Sequence, residues 1–187
     1  RTRTVGFVGG MDMPLIHKFE EGYRAGVREV CADCRVLVAY AGSTPAAFKD
    51  PERGKTIATS QYAAGADVIY HASGSTGLGV FQAARRLGRL AIGVDSDQQA
   101  EAPGHILTSM VKRVDVAVVE VIRAVLERRF EGGLRSFGLA ERGIDYVYDR
   151  NNERWITPAI RQRVEAIRER IVRATDPRPR SDRSRPE

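Results

Sequence analysis

Short runs of apolar, β-branched residues alternate along the chain with longer stretches in which apolar residues recur at three- and four-residue spacing. Val5–Val8, Val36–Tyr40, Asp67–Ala72, Leu90–Val94 and His105–Ser109 read as strands. Between them a helix is expected over Pro14–Val30, with Ile16, Phe19, Tyr23, Val27 and Val30 on one face. A second runs from Asp50-Pro51 to Ala64 and stops at Gly65, and a third covers Val80–Leu87 with Gly88 as its cap. Strands alternating with helices at this pitch predict right-handed crossovers and a parallel α/β sheet.

After Lys112 the pattern changes. Val114–Phe130 reads as one long helix with Val118, Val121, Ile122 and Val125 turned inward, stopped by Gly132-Gly133. Ser136–Leu139 and Ile144–Tyr148 read as short strands around a turn at Glu141-Arg142-Gly143. Thr157-Pro158 opens a last helix with Ile160, Val164, Ile167 and Ile171 on its apolar face and Glu169 placed to pair with Arg173. From Thr175 the Pro, Arg, Ser and Asp mixture cannot build a core and is expected to be disordered.

Composition narrows the function classes. The net charge of +6 is almost all arginine, since only Lys18, Lys49, Lys55 and Lys112 are lysines. Basic residues are interleaved with acidic ones and form no stripe with aromatic readers, which argues against a nucleic-acid partner. No stretch approaches the roughly 20 apolar residues of a membrane span. The first residues enter a strand without signal-peptide architecture, so an exported form requires a targeting segment outside this chain. Cys31 and Cys34 are the only cysteines, at the far end of the first helix; an incidental thiol pair or a local disulfide is expected there.

Five strand ends deliver glycine or polar residues to one sheet edge: Gly9–Asp12, Gly42-Ser43, Ser73–Ser75, Asp95–Asp97 and Ser109–Lys112. In an open parallel sheet that edge binds ligands. The Ser73–Gly79 turn can cradle an anion or can serve tight packing; it meets neither the GxGxxG nor the GK[ST] pattern. His17, His71 and His105 have no metal-ligand spacing, and no nucleophile stands at a recognisable distance from His71.

The stretches VGFVGGMDMPLIHKFEEGYRAGV, YAGS with DPERGK, QYAAGADVIYHASGSTGLGVFQAA, AIGVDSDQ, LTSMVKRVDVAVVEVI and FGLAERGIDYVYDRNN resemble the basic membrane protein family, nucleoside-binding lipoproteins that serve ABC importers. The resemblance implies a three-layer type I periplasmic binding protein fold, with lobe 2 complete over residues 4–112, an incomplete lobe 1 over 113–174, and a tail over 175–187. Members are near twice this length, so a preceding half lobe is expected to lie outside the chain. The resemblance implies a clamp that binds a purine nucleoside (inosine, guanosine or adenosine) without a cofactor and delivers it to an ABC permease at the cell envelope.

By the same resemblance Asp95 takes the ribose hydroxyls and Lys112 donates to ribose or base. Gly10, Met11, Ser43 and Gly74 line the rim, and Phe48 stacks on the purine. Asp97 supports Asp95, and Phe81 belongs to the core. A nucleoside-sensing regulatory module of the same fold is the alternative, and a nucleoside-processing enzyme using Asp95 and Asp97 a third reading. Without the facing half lobe, residues 136–174 are expected either to lack structure or to drive self-association.

Overall fold

In the computed structural model, residues 2–175 are described. The strands are β1 (Thr4–Met11), β2 (Arg35–Gly42), β3 (Val68–Ala72), β4 (Leu90–Gly93), β5 (Ile106–Lys112) and β6 (Ile144–Tyr146). The helices are α1 (Pro14–Val30), α2 (Pro51–Ala63), α3 (Gly77–Leu87), α4 (Val114–Leu126) and α5 (Pro158–Thr175). The sheet order is β2-β1-β3-β4-β5-β6, and every pairing from β2 through β5 is parallel. Parallel pairing sends all five carboxyl ends to one edge, as the alternation requires. The fold class is therefore the expected one, α/β with a parallel sheet.

Two compact units divide the chain. Among the described residues the first comprises 2–112 with Tyr146–Asn152, and the second comprises Arg113–Asp145 with 153–175.

In the first unit each sheet face has its own apolar cluster. Val8, Ile69, Ala91 and Ile106 meet Ala58, Tyr62, Val80, Phe81 and Ala84 of α2 and α3 on one face. Phe7, Tyr70, Ala72 and Val94 meet Ile16 of α1 on the other, with Phe19 and Tyr23 packed against them. Helices on both faces make three layers. Asp50 starts α2 by accepting from Arg53 N at 2.9 Å, and Gly88 closes α3 at φ +62°, a left-handed position that glycine takes without strain.

The α2–α3 contact depends on the absence of side chains. A Cβ on Gly79 would stand 1.8 Å from Pro51 O, and one on Gly54 would stand 2.1 Å from Thr76 O. The glycines let helix backbones meet directly. That is the packing reading of the Ser73–Gly79 turn. Its hydroxyls are also used internally: Thr76 Oγ1 donates to Ala47 O at 2.7 Å and Ser75 Oγ donates to Phe48 O at 3.0 Å.

Cys31 and Cys34 form a disulfide at the end of α1, the second of the two expected outcomes. Beside it Arg3 pairs with Asp33.

The second unit departs from expectation in two places. Ser136–Leu139 is not a strand. Gly143 N instead donates to Gly138 O at 2.8 Å and Glu141 Oε2 accepts from Gly138 N at 2.8 Å, so local turn bonds take the backbone groups a ladder would need. Helix α4 ends at Leu126, not Phe130, and Val118, Ile122 and Val125 are exposed; Ala124 is its one buried residue. Apolar spacing marks the face that seeks cover, but it does not supply the cover. Helix α5, Pro158–Thr175, falls where Thr157-Pro158 is expected to open it, and of the two outcomes expected for residues 136–174 it excludes a wholly unstructured segment. The tail expected to be disordered lies, beyond Thr175, outside the described residues.

Candidate functional site

At the carboxyl edge, β4 ends at Gly93 and the chain turns sharply. Asp95 has φ +69°, and Ser96 N donates to Val94 O at 2.8 Å, which together form a γ-turn centred on Asp95. The left-handed region is costly for most side chains, and aspartate tolerates it better than most. The turn is pinned to the next strand, where Lys112 N donates to Asp95 O at 3.0 Å.

The carboxylate of Asp95 meets Lys112 Nζ at 2.7 Å, with both side chains about half exposed. The ammonium also stands 5.1 Å from the Phe19 ring centroid, within cation–π range. An ion pair this exposed contributes only about 0–1 kcal/mol. Either partner can therefore turn toward a ligand at small cost. A carboxylate with several acceptor positions beside a three-donor ammonium suits neighbouring hydroxyl groups.

A second cluster forms around Phe48. A Cβ on Gly10 would stand 2.4 Å from the Phe48 ring, and one on Gly74, at φ +57°, would stand 2.9 Å from Phe48 O. Gly10, Phe48 and Gly74 are thus assembled by direct approach of ring to backbone. A single turn of 3-10 helix, Pro45–Phe48, leads into and ends on Phe48. Met11 pairs with Gly42 in the β1–β2 register, and Ser43 follows as an exposed residue.

The structure thus joins Asp95 with Lys112, and Gly10 with Phe48 and Gly74. Asp97 serves the local backbone, where its Oδ1 accepts from Gln99 N at 3.0 Å and organises the short 3-10 turn Gln99–Glu101. Phe81 is buried, with its ring edge-on to His71 at 4.9 Å.

His71, Ser73 and Ser109 are fully buried, and nothing in their spacing along the chain signals that one residue links them. That residue is Gln98. Its Oε1 accepts from Val94 N at 2.8 Å and lies 3.1 Å from His71 Nε2, while its own backbone N donates to Ser109 Oγ at 3.1 Å. An amide oxygen only accepts, so Nε2 carries the proton and Nδ1 accepts from the Ser73 hydroxyl at 3.2 Å. Burial pushes His71 down to about 4, which keeps the ring neutral near pH 7. With both nitrogens bonded, His71 has no lone pair to offer as a base. Gln98 closes the stretch AIGVDSDQ, but nothing within that stretch signals which strand ends its amide reaches.

At the other side of the edge, His17 Nε2 and Asp12 Oδ1 are 2.6 Å apart, and Tyr40 donates to Glu20 Oε2 at 2.5 Å. Burial first, then the Glu20 hydrogen bond, raises the Tyr40 hydroxyl above its usual range. Among the described residues no group of three or more His, Cys, Asp or Glu is placed to hold a metal ion.

The family model for ABC transporter substrate-binding proteins of the PnrA-like type, Bmp, matches residues 1–175. The chain belongs to the Bmp family. A relative from Lactococcus lactis subsp. cremoris, the ABC transporter nucleoside-binding protein BmpA, is 34% identical over 167 residues, 80% of this chain and 46% of that protein. This Bmp chain spans about half the length of the curated relatives it matches.

Among solved structures, an ABC transporter solute-binding protein from Aeropyrum pernix K1 superposes with a TM-score of 0.77 at 29% identity, over 91% of this chain and 56% of that one. A transcriptional activator of the comK gene from Bacillus halodurans has a TM-score of 0.74 at 19% identity, over 95% of this chain and 59% of that one; it shares the fold. The Bmp family is one of binding proteins for ABC transporters and not of enzymes. The reading of Asp95 and Asp97 as a catalytic pair is set aside on that ground, and the bond from Gln99 N to Asp97 agrees.

Proposed function

We propose that this Bmp chain carries the half of a nucleoside receptor that grips ribose, within a substrate-binding component of an ABC importer. The observation that carries the reading is Asp95, held out on a γ-turn at the carboxyl edge with Lys112 against its carboxylate. Asp95 accepts from the ribose diol, Lys112 donates to ribose or base oxygens, and Phe48 offers a ring for stacking on the purine beside Gly10 and Gly74. Met11 and Ser43 complete the rim. The Lactococcus relative, a nucleoside-binding protein by name, supports a nucleoside as ligand.

In this reading residues 4–112 form lobe 2 of a two-lobed clamp, residues 113–174 belong to lobe 1, and an ABC permease receives the ligand. The protein works at the cell envelope, held by a lipid anchor. The Cys31–Cys34 disulfide agrees with an oxidising compartment outside the cytoplasm. The exposed Val118, Ile122 and Val125 of α4 support self-association.

Isothermal titration with inosine, guanosine and adenosine tests the reading. Binding of a purine nucleoside is expected, and Asp95→Asn should weaken it about 10- to 100-fold, as loss of charge-assisted bonds implies. No heat with any nucleoside, or full affinity in Asp95→Asn, would overturn it. The Bacillus halodurans likeness at 19% identity supports the alternative of a sensing module only through the shared fold.

A further inference from the structure

We propose that Gln98, seated on His71 and Ser109, is a positioning residue that holds Asp95 in its left-handed turn and so sets the carboxylate against Lys112.

The bonds branch from Gln98 across three strand ends. From β3, His71 is braced by Ser73 and donates to Gln98 Oε1. From β5, Ser109 Oγ accepts from Gln98 N. Gln98 then accepts from Val94 N, the residue at which the γ-turn opens. No side chain fits beneath this arrangement: a Cβ on Gly93 would stand 2.5 Å from Ser109 Oγ and 2.8 Å from Gln98 Oε1.

Non-glycine residues stay in sparsely populated backbone regions only where their surroundings over-determine them, and such residues gather at ligand clamps. Here the surroundings can be named. Three fully buried polar side chains, His71, Ser73 and Ser109, are linked through this one glutamine. Buried polar groups in apolar surroundings cost stability unless every bond is made, so a network of this kind tends to rigidify what it touches. What it touches is the turn that presents Asp95. Burial also keeps His71 neutral, which fixes the direction of the bond into Gln98.

The inference rests on Asp95 being a ligand contact only for its last step, and a readout without ligand separates the two. Brief acetylation of the protein, with mass spectrometry comparing Lys112 against the exposed Lys18 and Lys49, reports whether the ion pair holds. Gln98→Leu removes the acceptor and keeps the volume; Lys112 should then react about fivefold faster, the factor that a surface ion pair of about full usual strength corresponds to. Gln98→Glu keeps an acceptor oxygen and should restore protection.

Gln61→Leu is the control for mere loss of stability, because Gln61 donates to Phe7 O and Leu37 O away from this turn. It should leave Lys112 unchanged. If Gln98→Leu does not fold, Ser109→Ala, which removes only the acceptor for Gln98 N, provides the same readout.

Unchanged Lys112 reactivity in a folded Gln98→Leu or Ser109→Ala protein, or an equal rise in Gln61→Leu, would overturn the proposal. A rise confined to the Gln98 and Ser109 variants in a protein that binds no nucleoside would uphold the positioning role and sink the nucleoside reading instead.

Discussion

Acidification to pH 5 should destabilise this protein through one residue, His71. The ring is fully buried and neutral in the fold, with burial lowering its titration from 6.5 to about 4. In the unfolded chain it titrates near the ordinary value. Between those two points the unfolded state binds a proton that the folded state refuses, so stability rises with pH and falls as the solution is acidified.

One pKa unit corresponds to about 1.4 kcal/mol. Going from pH 7.5 to 5 crosses roughly 1.5 units below the unfolded value, so the loss from His71 alone is about 2 kcal/mol. Most carboxylates have not yet protonated at pH 5, which keeps the window clean.

Urea unfolding at several pH values gives the slope, and the same series on His71→Gln removes the contribution of every other group. The difference between the slopes should be close to one proton between pH 5 and 6. Equal slopes in the two proteins would refute the reasoning. So would an NMR titration in which the His71 ring protons move with a midpoint near 6.5, and that measurement needs no variant.

Gly79→Ala should lower stability by about 3 kcal/mol or more in chemical denaturation, because a Cβ there stands 1.8 Å from a helix backbone oxygen that has no flexible end to yield. Removing the disulfide with Cys31→Ser and Cys34→Ser should cost no more than about 2 kcal/mol by thermal or urea unfolding, since the closed loop is only three residues in separation and releases little chain entropy.

The parallel sheet is legible in the sequence because both periods, two for strands and near 3.6 for helices, are strong where burial is complete. Helix α1 falls on the expected Pro14–Val30, since Pro14 opens it and its apolar face is continuous. Two strands run longer than their apolar runs imply: β1 continues through Gly9 and Gly10 to Met11, and β5 continues to Lys112. Glycine lowers strand propensity, but here it admits the Tyr40 and Phe48 rings to the backbone, a tertiary demand that local preference does not record.

In the second unit Val118 and Ile122 have the spacing of a buried face and lie exposed. Periodicity describes a helix, and burial depends on what else is present. Asp95 and Lys112, which stand at two separate strand ends in the sequence, are found paired at 2.7 Å. Gln98 is invisible to such a reading because its role comes from register between β3, β4 and β5, which no single stretch of sequence contains.

The ion pair between Asp95 and Lys112 also makes that part of the edge electrically balanced. A solute with a phosphate would gain from the ammonium what it loses to the adjacent carboxylate, and an organic cation would face the same cancellation with the signs exchanged. An uncharged polyhydroxy compound can use both groups at once, donating to the carboxylate and accepting from the ammonium. If the pair contacts ligand as proposed, discrimination against phosphorylated forms of a compound needs no steric gate, because two side chains that neutralise each other before anything binds supply it.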